Sequence, residues 1–572
     1  MAVVLTKGRV ISTSPVSKQK WTRPSDWLDM PAMSQGDEKI VLLVKIFEKG
    51  NNYLRFRITG DFQVDWGDGN TDTYSSLDHA EHSFSWSDIS SSTLTSEGFR
   101  QAIVTITPQS GSHMTVFNGR GASPFHHPDD AYRGITNANV ISAKIASTHF
   151  TTFYQGFYTA HGLEEFEYVG TNNVTSWSHC FHSCGNFKKV VQLDTSNCTD
   201  FTNMFKNCNS LIEIPSLNTS SGTVFLGMFE SCTNIDYIPP MDFSNATSLV
   251  KVFSTCSALT NNPLTNVSGI TNVDTLFASC LSLTSFEATM PNLATVYRFF
   301  DGCAALQSVK LTVNTGSLTS FRYVFRNCTS LAEIKPVDTS NVTNFDYTFS
   351  GVKRIKDFTW VDFSSALSTS QMFTNSNIED ASWITLGSTI TNCMDMFLTC
   401  RKLVKGPASI DCTNLTSLQD LFSGCFMLKE LPTFTNTGSI TNMYGTFFQC
   451  RALTSIPLVT TNALTSFRAM VNGCYNLQSI PAFDFSGATA YPNGYQFAIS
   501  CFALTESNAT GATTQHSYLS CGMERAELVA VFNNLGTNTD GRTINVQKNP
   551  GTAELTASDL AIATGKGWTV LT

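Results

Sequence analysis

Few residues of this chain have the types and spacing that catalysis or metal binding requires, and the most compact group is His126-His-Pro-Asp-Asp130. Imidazole and carboxylate groups can hold a zinc ion, but such a site needs three or four ligands that converge with fixed geometry. The proline within the group and the lack of helical spacing favour a polar loop instead. The sequence therefore predicts no metal ligand here.

A second group of carboxylates, Asp65, Asp68 and Asp72, lies in and after Val64-Asp-Trp-Gly-Asp-Gly69. Calcium prefers oxygen ligands, but this stretch lacks the alternating oxygen ligands of an EF-hand loop. A tight turn that needs its glycines explains the pattern better. We therefore expect a turn, and calcium binding stays open as the alternative.

Aspartates also recur through the middle of the chain as Asp194, Asp242, Asp338, Asp362 and Asp484. Paired carboxylates could hydrolyse a glycan, but each of these residues opens a turn-forming run such as Asp338-Thr-Ser-Asn. The sequence contains no G-x-S-x-G, H-E-x-x-H or phosphate-loop motif. We predict no catalytic residue and no cofactor, with a glycan hydrolase assembled from distant coils as the alternative.

A repeat between Phe157 and Leu504 supplies the elements that must position any site. Each unit has a phenylalanine, a cysteine three residues later and a leucine or isoleucine three residues after that. Clear examples are Phe205…Cys208…Leu211, Phe277…Cys280…Leu283 and Phe422…Cys425…Leu428. Successive cysteines from Cys184 to Cys328 are 24 residues apart, except for 23 and 25 on either side of Cys303. Such a period predicts a solenoid, here of about fifteen coils.

Each coil is predicted to contain a turn, a short helix and a strand. Phe345, Phe349, Val352 and Ile355 have the spacing of one helix face. Thr343, in a column of threonines six residues before the repeated phenylalanine or its replacement, is placed where a helix N-cap is expected. The column departs from threonine at Ala294 and Leu367, where we expect irregular coils.

Twelve of the 17 cysteines occupy the repeated column. Equivalent residues in stacked coils lie only about 4.8 Å apart, so distance alone permits disulfides. However, Ala160, Val352 and Ser376 replace cysteine in this column, so any small side chain is tolerated. We therefore predict a ladder of buried, reduced thiols, because free cysteine behaves as a small apolar residue.

Two positions in each coil, between the repeated threonine and phenylalanine, are left facing outward by the apolar pattern. In three consecutive coils they are Tyr297-Arg298, Arg322-Tyr323 and Asp346-Tyr347. Tyrosine and arginine often dominate binding energy in interfaces. We predict that these six residues form one exposed recognition patch, and the alternative is a ladder that only stabilises the stack.

The repeated pattern, together with its Ile-Pro and Asp-Thr-Ser-Asn segments, resembles the BspA-like leucine-rich-repeat surface proteins over about two thirds of the chain. The resemblance implies a right-handed leucine-rich-repeat solenoid for adhesion or recognition, without catalysis. The stretch Val64–Gly69, followed by His82-Ser-Phe84, resembles the polycystic-kidney-disease (PKD) type of Ig-like β-sandwich. The predicted fold class is thus a mixed α/β repeat solenoid preceded by an all-β sandwich and closed by a small α/β cap.

Five segments follow from these patterns. Residues 1–37 form an extended arm that carries Trp21 and Trp27, 38–108 the sandwich and 109–139 a linker. Residues 140–510 form the solenoid and 511–572 the cap. In the cap we predict helices over 523–535 and 557–563 and strands over 542–547 and 568–571, because an open solenoid end needs cover. Two exposed tryptophans would be costly in a free tail, so we expect the arm to be docked.

Composition excludes several partners. The net charge is -9 and only 14% of residues are charged, which argues against nucleic-acid binding. No window has the 18 or so apolar residues of a membrane span, so no membrane insertion is expected. The apolar run before Thr6 is shorter than the roughly 7–15 residues of a secretory signal, so none is expected.

A recognition protein without an export signal is typical of a bacteriophage structural protein, assembled in the host cytoplasm and exposed on the virion. Arg23-Pro-Ser-Asp-Trp-Leu28 and the ending Gly565-Lys-Gly-Trp-Thr-Val570 resemble segments of phage-encoded proteins. We therefore predict a non-enzymatic tail or fibre-type adhesin. Its partners would be other virion proteins, bound through the arm and sandwich, and a host-surface glycan or protein, with homo-oligomers possible. The alternatives are an extracellular BspA-like cell-surface adhesin and a virion decoration protein without receptor.

Overall fold

The computed structural model of the chain describes residues 20–117, 139–171, 173–314, 316–488 and 496–572. These residues form a mixed and an antiparallel sheet packed on each other, a long stack of parallel coils and a C-terminal group of coils that carry helices. The predicted solenoid is confirmed, and it continues beyond the predicted fifteen coils to about eighteen turns. The cluster His126–Asp130 lies outside the described residues.

The N-terminal region consists of short strands in two sheets with a common core. Alternation of buried Phe62 and Val64 with exposed Gln63 and Asp65 shows why this sequence forms a strand with one face in the core. One sheet has the order β10-β9-β8-β1-β6-β3-β4 and the other β5-β2-β7. The strands are β1 (Lys39–Ile46), β2 (Tyr53–Thr59), β3 (Phe62–Asp65), β4 (Thr71–Tyr74), β5 (His79–Ser83), β6 (Arg100–Pro108), β7 (Val116–Phe117), β8 (Val140–Ser147), β9 (Glu165–Gly170) and β10 (Lys189–Gln192).

Strand β8 joins this region to the solenoid. It pairs antiparallel with β1, where Ile145 lies opposite Ile40, and parallel with β9, where Ile145 lies opposite Tyr168. The larger sheet therefore passes without interruption from the N-terminal region into the first coils. This continuity fixes the solenoid relative to the sheets, because the two share a hydrogen-bonded ladder and one apolar core.

The described part of the arm, residues 20–37, is docked on this junction, as expected from its tryptophans. Trp27 is only 6% exposed and packs with Leu43, Phe99 and Ile141. The backbone N–H of Leu28 donates to the side-chain oxygen of Gln101 over 2.9 Å. Arg23 bonds the carboxylate of Glu165 in the solenoid. The arm thus contacts both the sheets and the first coils.

Short parallel strands mark one face of the solenoid, and their register repeats once per coil. Ser285 to Thr289, for example, pair in order with Ser308 to Thr312. These strands are β11 (Met241–Asp242), β12 (Leu264–Thr265), β13 (Ser285–Thr289), β14 (Ser308–Thr312), β15 (Glu333–Ile334), β16 (Thr385–Leu386), β17 (Ser409–Asp411), β18 (Thr433–Thr435), β19 (Ser479–Ile480) and β20 (Glu506–Ser507).

The prediction of a short helix in each coil is wrong. Residues 346–351 form consecutive turns, in which Tyr347 and Gly351 have positive φ angles of 58° and 77°. The N–H of Tyr347 donates to Ser370 in the next coil over 3.0 Å, and the N–H of Ser350 donates to Tyr347 over 3.2 Å. Left-handed residues at four-residue intervals aim alternate N–H groups along the solenoid axis, which an α-helix cannot do.

The threonine column also has a role other than the predicted helix cap. Thr271 donates to the carbonyl of Thr247 through both its backbone N–H (2.8 Å) and its hydroxyl (3.1 Å). The column therefore ties each coil to the preceding one. Ala294 and Leu367 keep the backbone bond, at 2.8 Å each, so the irregularity expected at these positions is confined to the missing hydroxyl.

The core of the solenoid is a stack of phenylalanine rings beside the cysteine column. From Phe157 to Phe447 the repeated rings are stacked with centroids 5.2–6.2 Å apart. All 17 cysteines are buried and have free thiols. The prediction that the repeated cysteines are buried is thus confirmed.

The C-terminal residues continue the parallel stack and add helices. The chain forms β21 (His516–Ser517), α1 (Arg525–Asn534), β22 (Thr543–Asn545), α2 (Ala557–Thr564) and β23 (Thr569–Leu571). Helices α1 and α2 and strands β22 and β23 lie within or close to the ranges predicted from sequence, whereas β21 was not predicted, and the three strands pair in parallel. Helix α2 begins with a capping box between Thr556 and Asp559, and Asp559 also binds Arg525 of α1. Stacking onto the solenoid is direct, since the N–H of Ala498 donates to Ser517 over 3.0 Å.

Candidate recognition surface

Three tyrosines in consecutive coils contact one another on the outside of the solenoid. The rings of Tyr323 and Tyr347 are stacked, with centroids 4.5 Å apart and an angle of 15° between their planes. Tyr297 meets Tyr323 edge-on, with centroids 5.7 Å apart. All six residues that the sequence predicted for a recognition patch (Tyr297, Arg298, Arg322, Tyr323, Asp346 and Tyr347) lie in these three coils, and we call this set the tyrosine patch.

The left-handed turns position the patch. Arg298, Tyr323 and Tyr347 occupy equivalent positive-φ sites, with φ angles of 55°, 61° and 58°. Their N–H groups donate to the next coil over 3.2, 3.0 and 3.0 Å. Each backbone is therefore held against the next coil, and the three side chains leave the solenoid from the same place in successive coils. The patch is a property of the coil geometry rather than of a helix face.

Guanidinium groups surround the middle ring of the patch. The central carbons of Arg298, Arg322 and Arg326 lie 5.0, 5.0 and 4.7 Å from the ring centroid of Tyr323. Arginine over an aromatic face is attracted by the ring quadrupole, more strongly where water is excluded. These contacts hold the long arginine side chains in place before any partner arrives.

Two aspartates lie beneath the arginines. Asp301 accepts two hydrogen bonds from Arg326, at 2.8 and 2.7 Å, and this pairing raises the pKa of the Arg326 guanidinium. Asp346 accepts bonds from the Ser368 hydroxyl and from the backbone N–H of Ser370 in the next coil. The carboxylates are thus used within the stack, and each fixes neighbouring coils relative to one another.

Exposure differs sharply between the two layers. Tyr297 is 36% exposed and the side chain of Arg322 is 45% exposed, whereas the side chains of Asp301 and Asp346 are mostly covered. The surface of the patch therefore offers aromatic rings, a tyrosine hydroxyl edge and guanidinium N–H donors. Burial is the main cause of the raised pKa of Tyr347, so that hydroxyl keeps its proton and can donate.

Sequence reasoning missed Arg326 and Asp301, which complete the patch. Their separation of 25 residues is one coil, so each lies beside the other after stacking. A search for opposite charges one period apart would have found the pair. The outward-facing positions alone did not show it, because Asp301 and Arg326 lie three residues after Arg298 and Tyr323.

The other carboxylates considered from sequence have structural partners. Asp242, Asp338 and Asp484 accept a hydrogen bond from the backbone N–H of the serine two residues later, as the turn interpretation predicts. In the N-terminal turn, Asp68 accepts from the N–H of Asn70 and contacts the ring nitrogen of His82 over 2.6 Å. Across the described ranges, no group of three or more His, Cys, Asp or Glu side chains could hold a metal ion.

Gly67 shows why the Asp-Trp-Gly-Asp-Gly turn needs its glycines. Its φ angle is 73°, and a Cβ atom there would lie 2.4 Å from the carbonyl oxygen of Ile103. The neighbouring Trp66 is buried and donates from its indole nitrogen to Asp72 over 2.8 Å. Tight packing in the sheet thus accounts for this motif.

A second ladder, also missed from sequence, follows the cysteine column directly. It consists of Arg401, Phe426, Arg451, Tyr475 and Phe502, each the residue after a column cysteine. The Arg451 guanidinium lies 4.2 Å from the ring centroid of Phe426 and 5.1 Å from that of Tyr475. The rings of Tyr475 and Phe502 are 5.1 Å apart. We call this set the arginine–aromatic ladder.

Stacked parallel coils that carry side-chain ladders on their outer surface define a leucine-rich-repeat-like solenoid protein. Three segments, residues 151–266, 292–408 and 391–501, match the family described as "Mycoplasma protein of unknown function, DUF285". Together they cover more than half of the chain, so the chain belongs to this family. No curated protein matches the chain.

Several solved structures share the repeat architecture at low identity. A leucine-rich repeat protein from Bacteroides ovatus is 13% identical, with 76% of this chain and 88% of that chain covered and a TM-score of 0.30. The functional domain of InlJ from Listeria monocytogenes, which includes a cysteine ladder, is 13% identical, with 68% and 71% covered and a TM-score of 0.17. These TM-scores are too low for residue roles or partners to be carried over.

Membrane insertion was not expected from the sequence. In the described part of the chain, no helix has the length and apolar character needed to span a membrane.

Proposed function

We propose that this chain is a non-enzymatic recognition protein that binds a cell-surface protein or glycan through the side of its solenoid. The observation that carries the proposal is the tyrosine patch, where three tyrosines in consecutive coils contact one another and the guanidinium groups of Arg298 and Arg322 lie over the middle ring. Tyrosine and arginine are enriched among the residues that dominate interface energy, because they bury a large area with few rotatable bonds.

Preorganisation supports a binding role for the patch. Holding a flexible side chain on association costs about 0.5–1.5 kcal/mol. In the patch, ring stacking and cation–π contacts already hold the side chains, and backbone bonds hold their Cα atoms. Less side-chain entropy is therefore lost when a partner binds, because these side chains are already ordered in the free protein.

The same contacts also stabilise the stack of coils, which is the competing explanation of the patch. Arg326 and Asp301 join two coils by a bidentate pair, and this pair would serve stability whether or not a partner binds. The half-buried members Arg298, Tyr323 and Tyr347, which make the ring and cation–π contacts, are therefore the ones to test for binding. If these residues serve stability, their substitution should lower the unfolding temperature. If they serve recognition, their substitution should weaken binding while the unfolding temperature stays the same.

The proposed carrier of this surface is a bacteriophage virion, with the solenoid as a tail or fibre-type adhesin. Support comes from the sequence segments Arg23–Leu28 and Gly565–Val570. In this proposal the arm and N-terminal sheets bind other virion proteins, and homo-oligomers are compatible with it. A BspA-like adhesin on a bacterial cell is the alternative carrier. Immunogold labelling separates the two, since the label would fall on particles in one case and on cells in the other.

Binding itself is tested with the purified full chain. We expect labelled protein to attach saturably to the host cells of the phage, or to the target cells of the bacterium in the alternative. Excess unlabelled protein should compete for this attachment. The same incubation should release no reducing sugar, because no catalytic residue is proposed. Absence of saturable attachment would overturn the recognition proposal, and sustained sugar release would favour the glycan-hydrolase alternative.

A further inference from the structure

The arginine–aromatic ladder lies in a different part of the solenoid from the tyrosine patch. The patch occupies coils around residues 297–347, and the ladder occupies coils from Arg401 to Phe502. We propose that the ladder is a second binding site, which takes a linear acidic polysaccharide lying along the solenoid axis. The inference depends on the charge, spacing and exposed surface of the ladder and not on the tyrosine patch.

Uncompensated positive charge is the first argument. Arg401, Lys402, Lys429 and Arg451 take part in no salt bridge within the described parts of the chain, although the protein carries a net charge of -9. Lys405 behaves differently, because it lies 3.9 Å from Asp380 and 4.0 Å from Glu430. The ladder and its two flanking lysines therefore form a local cationic strip that suits an anionic partner.

The spacing of the two guanidinium groups favours a polysaccharide over other polyanions. Arg401 and Arg451 are two coils apart, which at the strand spacing corresponds to about 10 Å. An extended acidic peptide would present side chains of one face about 7 Å apart, so its carboxylates would not match both arginines. A glycan with one carboxylate per disaccharide places its charges at about the matching interval.

Ring contacts within the ladder argue against a single-stranded nucleic acid. Bases bind protein by stacking on free aromatic faces. Phe426 has the guanidinium of Arg401 at 5.2 Å and that of Arg451 at 4.2 Å, so its faces are already covered. A guanidinium that stacks on a ring keeps its N–H edge available for a carboxylate. Around Phe426 the ladder is therefore suited to carboxylates rather than to bases.

Exposed apolar surface completes the site. Phe502 is 58% exposed and Met427 is 50% exposed, at the end and the side of the ladder. Sugar rings present apolar C–H faces as well as polar groups, and such faces pack well against aromatic and methionine side chains. Charge along the middle and apolar surface at the edges together fit an acidic sugar chain.

The test measures binding of the full chain to hyaluronan oligosaccharides, which have one carboxylate per disaccharide. Dextran, poly-glutamate and oligo-deoxythymidylate serve as comparison ligands. We expect the hyaluronan affinity to fall about tenfold or more in Arg401→Gln/Arg451→Gln, since each loses a charge-assisted hydrogen bond. The control Lys310→Gln/Lys335→Gln removes the same charge from coils outside the ladder, and it should keep the affinity.

Arg451 packs between two rings, so its loss could unfold the coil. Lys402→Gln/Lys429→Gln provides a second variant, because both lysines lie outside the stack of rings. We expect this variant to weaken hyaluronan binding while its thermal unfolding stays unchanged. The proposal is overturned if hyaluronan does not bind the wild-type chain, if poly-glutamate or oligo-deoxythymidylate binds equally well, or if the Lys310/Lys335 control loses as much affinity.

Discussion

The thiol of Cys280 donates a hydrogen bond to the backbone carbonyl oxygen of Phe253, 3.1 Å away and one coil earlier. The same bond recurs in the other repeats, for example from Cys208 to Phe181 and from Cys450 to Phe422. Burial raises the pKa of these thiols, as for Cys303, to about 12, so they stay protonated and can donate. The column therefore selects a small apolar side chain that also carries a weak donor.

Loss of this thiol should be a mild change. In Cys280→Ala the Phe253 carbonyl still accepts a hydrogen bond from the backbone N–H of Cys256 over 3.1 Å. We expect a loss of about 1 kcal/mol or less in the free energy of unfolding. Phe277→Ala should cost about 3–5 kcal/mol, because it removes a ring from the middle of the stack. Chemical denaturation measures both.

The state of the thiols is checked separately by non-reducing electrophoresis and thiol titration of the unfolded chain. We expect all column cysteines to titrate as free thiols. Disulfide-linked species from carefully handled protein would contradict this prediction, as would a Cys280→Ala variant as unstable as Phe277→Ala.

Thr275 offers a test of the left-handed turns. Its φ angle is 61°, a conformation that β-branched residues rarely adopt, whereas Asn203 occupies the equivalent position three coils earlier with a φ of 50°. We expect Thr275→Asn to raise the free energy of unfolding by about 0.5–1 kcal/mol. The matched change Thr271→Asn, outside the left-handed sites, should lower it because a hydroxyl bond to Thr247 is lost. Equal effects of the two changes would contradict the turn geometry.

His516 should make the C-terminal coils sensitive to acid. Burial among Phe467, Phe485, Phe497 and Tyr518 lowers the pKa of its imidazole to about 3. The unfolded chain binds a proton near the ordinary pKa of 6.5 and the folded chain does not. The contribution of neutral His516 to stability is therefore complete above pH 6.5 and decreases as the pH falls below that value.

Between neutral pH and about pH 5, His516 should account for a loss of about 2 kcal/mol in the free energy of unfolding. His516→Phe should remove this part of the pH dependence, and the exposed His161→Phe should leave it unchanged. Unfolding curves for the three proteins at several pH values give the comparison. An identical pH dependence in wild type and His516→Phe would contradict the assignment.

The repeat period and the burial of the repeated apolar residues were predictable because both depend only on the spacing of those residues in the sequence. Phe277, Cys280 and Leu283 recur at fixed intervals, and any stacked architecture with that period must turn them inward. The six residues of the tyrosine patch were found in the same way. Both conclusions need only the knowledge that equivalent residues of successive coils become neighbours.

The path of the backbone within a coil was not predictable in the same way. Phe345, Phe349 and Val352 have helix-like spacing, but consecutive turns with a left-handed residue every fourth position produce the same inward spacing. Residues such as Tyr347 give no sign of a positive φ in the sequence. The arginine–aromatic ladder was missed for another reason. Its residues become visible only when the residues that directly follow the repeated cysteines are compared from coil to coil.

The most direct test of the recognition proposal is a comparison of binding by two stable variants. Arg298→Ser/Tyr323→Ser/Tyr347→Ser removes the centre of the tyrosine patch, and Lys251→Ser/Gln371→Ser changes the same column in coils on either side of the patch. We predict that the triple variant unfolds at nearly the wild-type temperature and loses adsorption to host cells or to its protein partner. The flanking variant should adsorb normally. Unaltered adsorption by a stable triple variant would contradict the proposal that the tyrosine patch is the recognition surface.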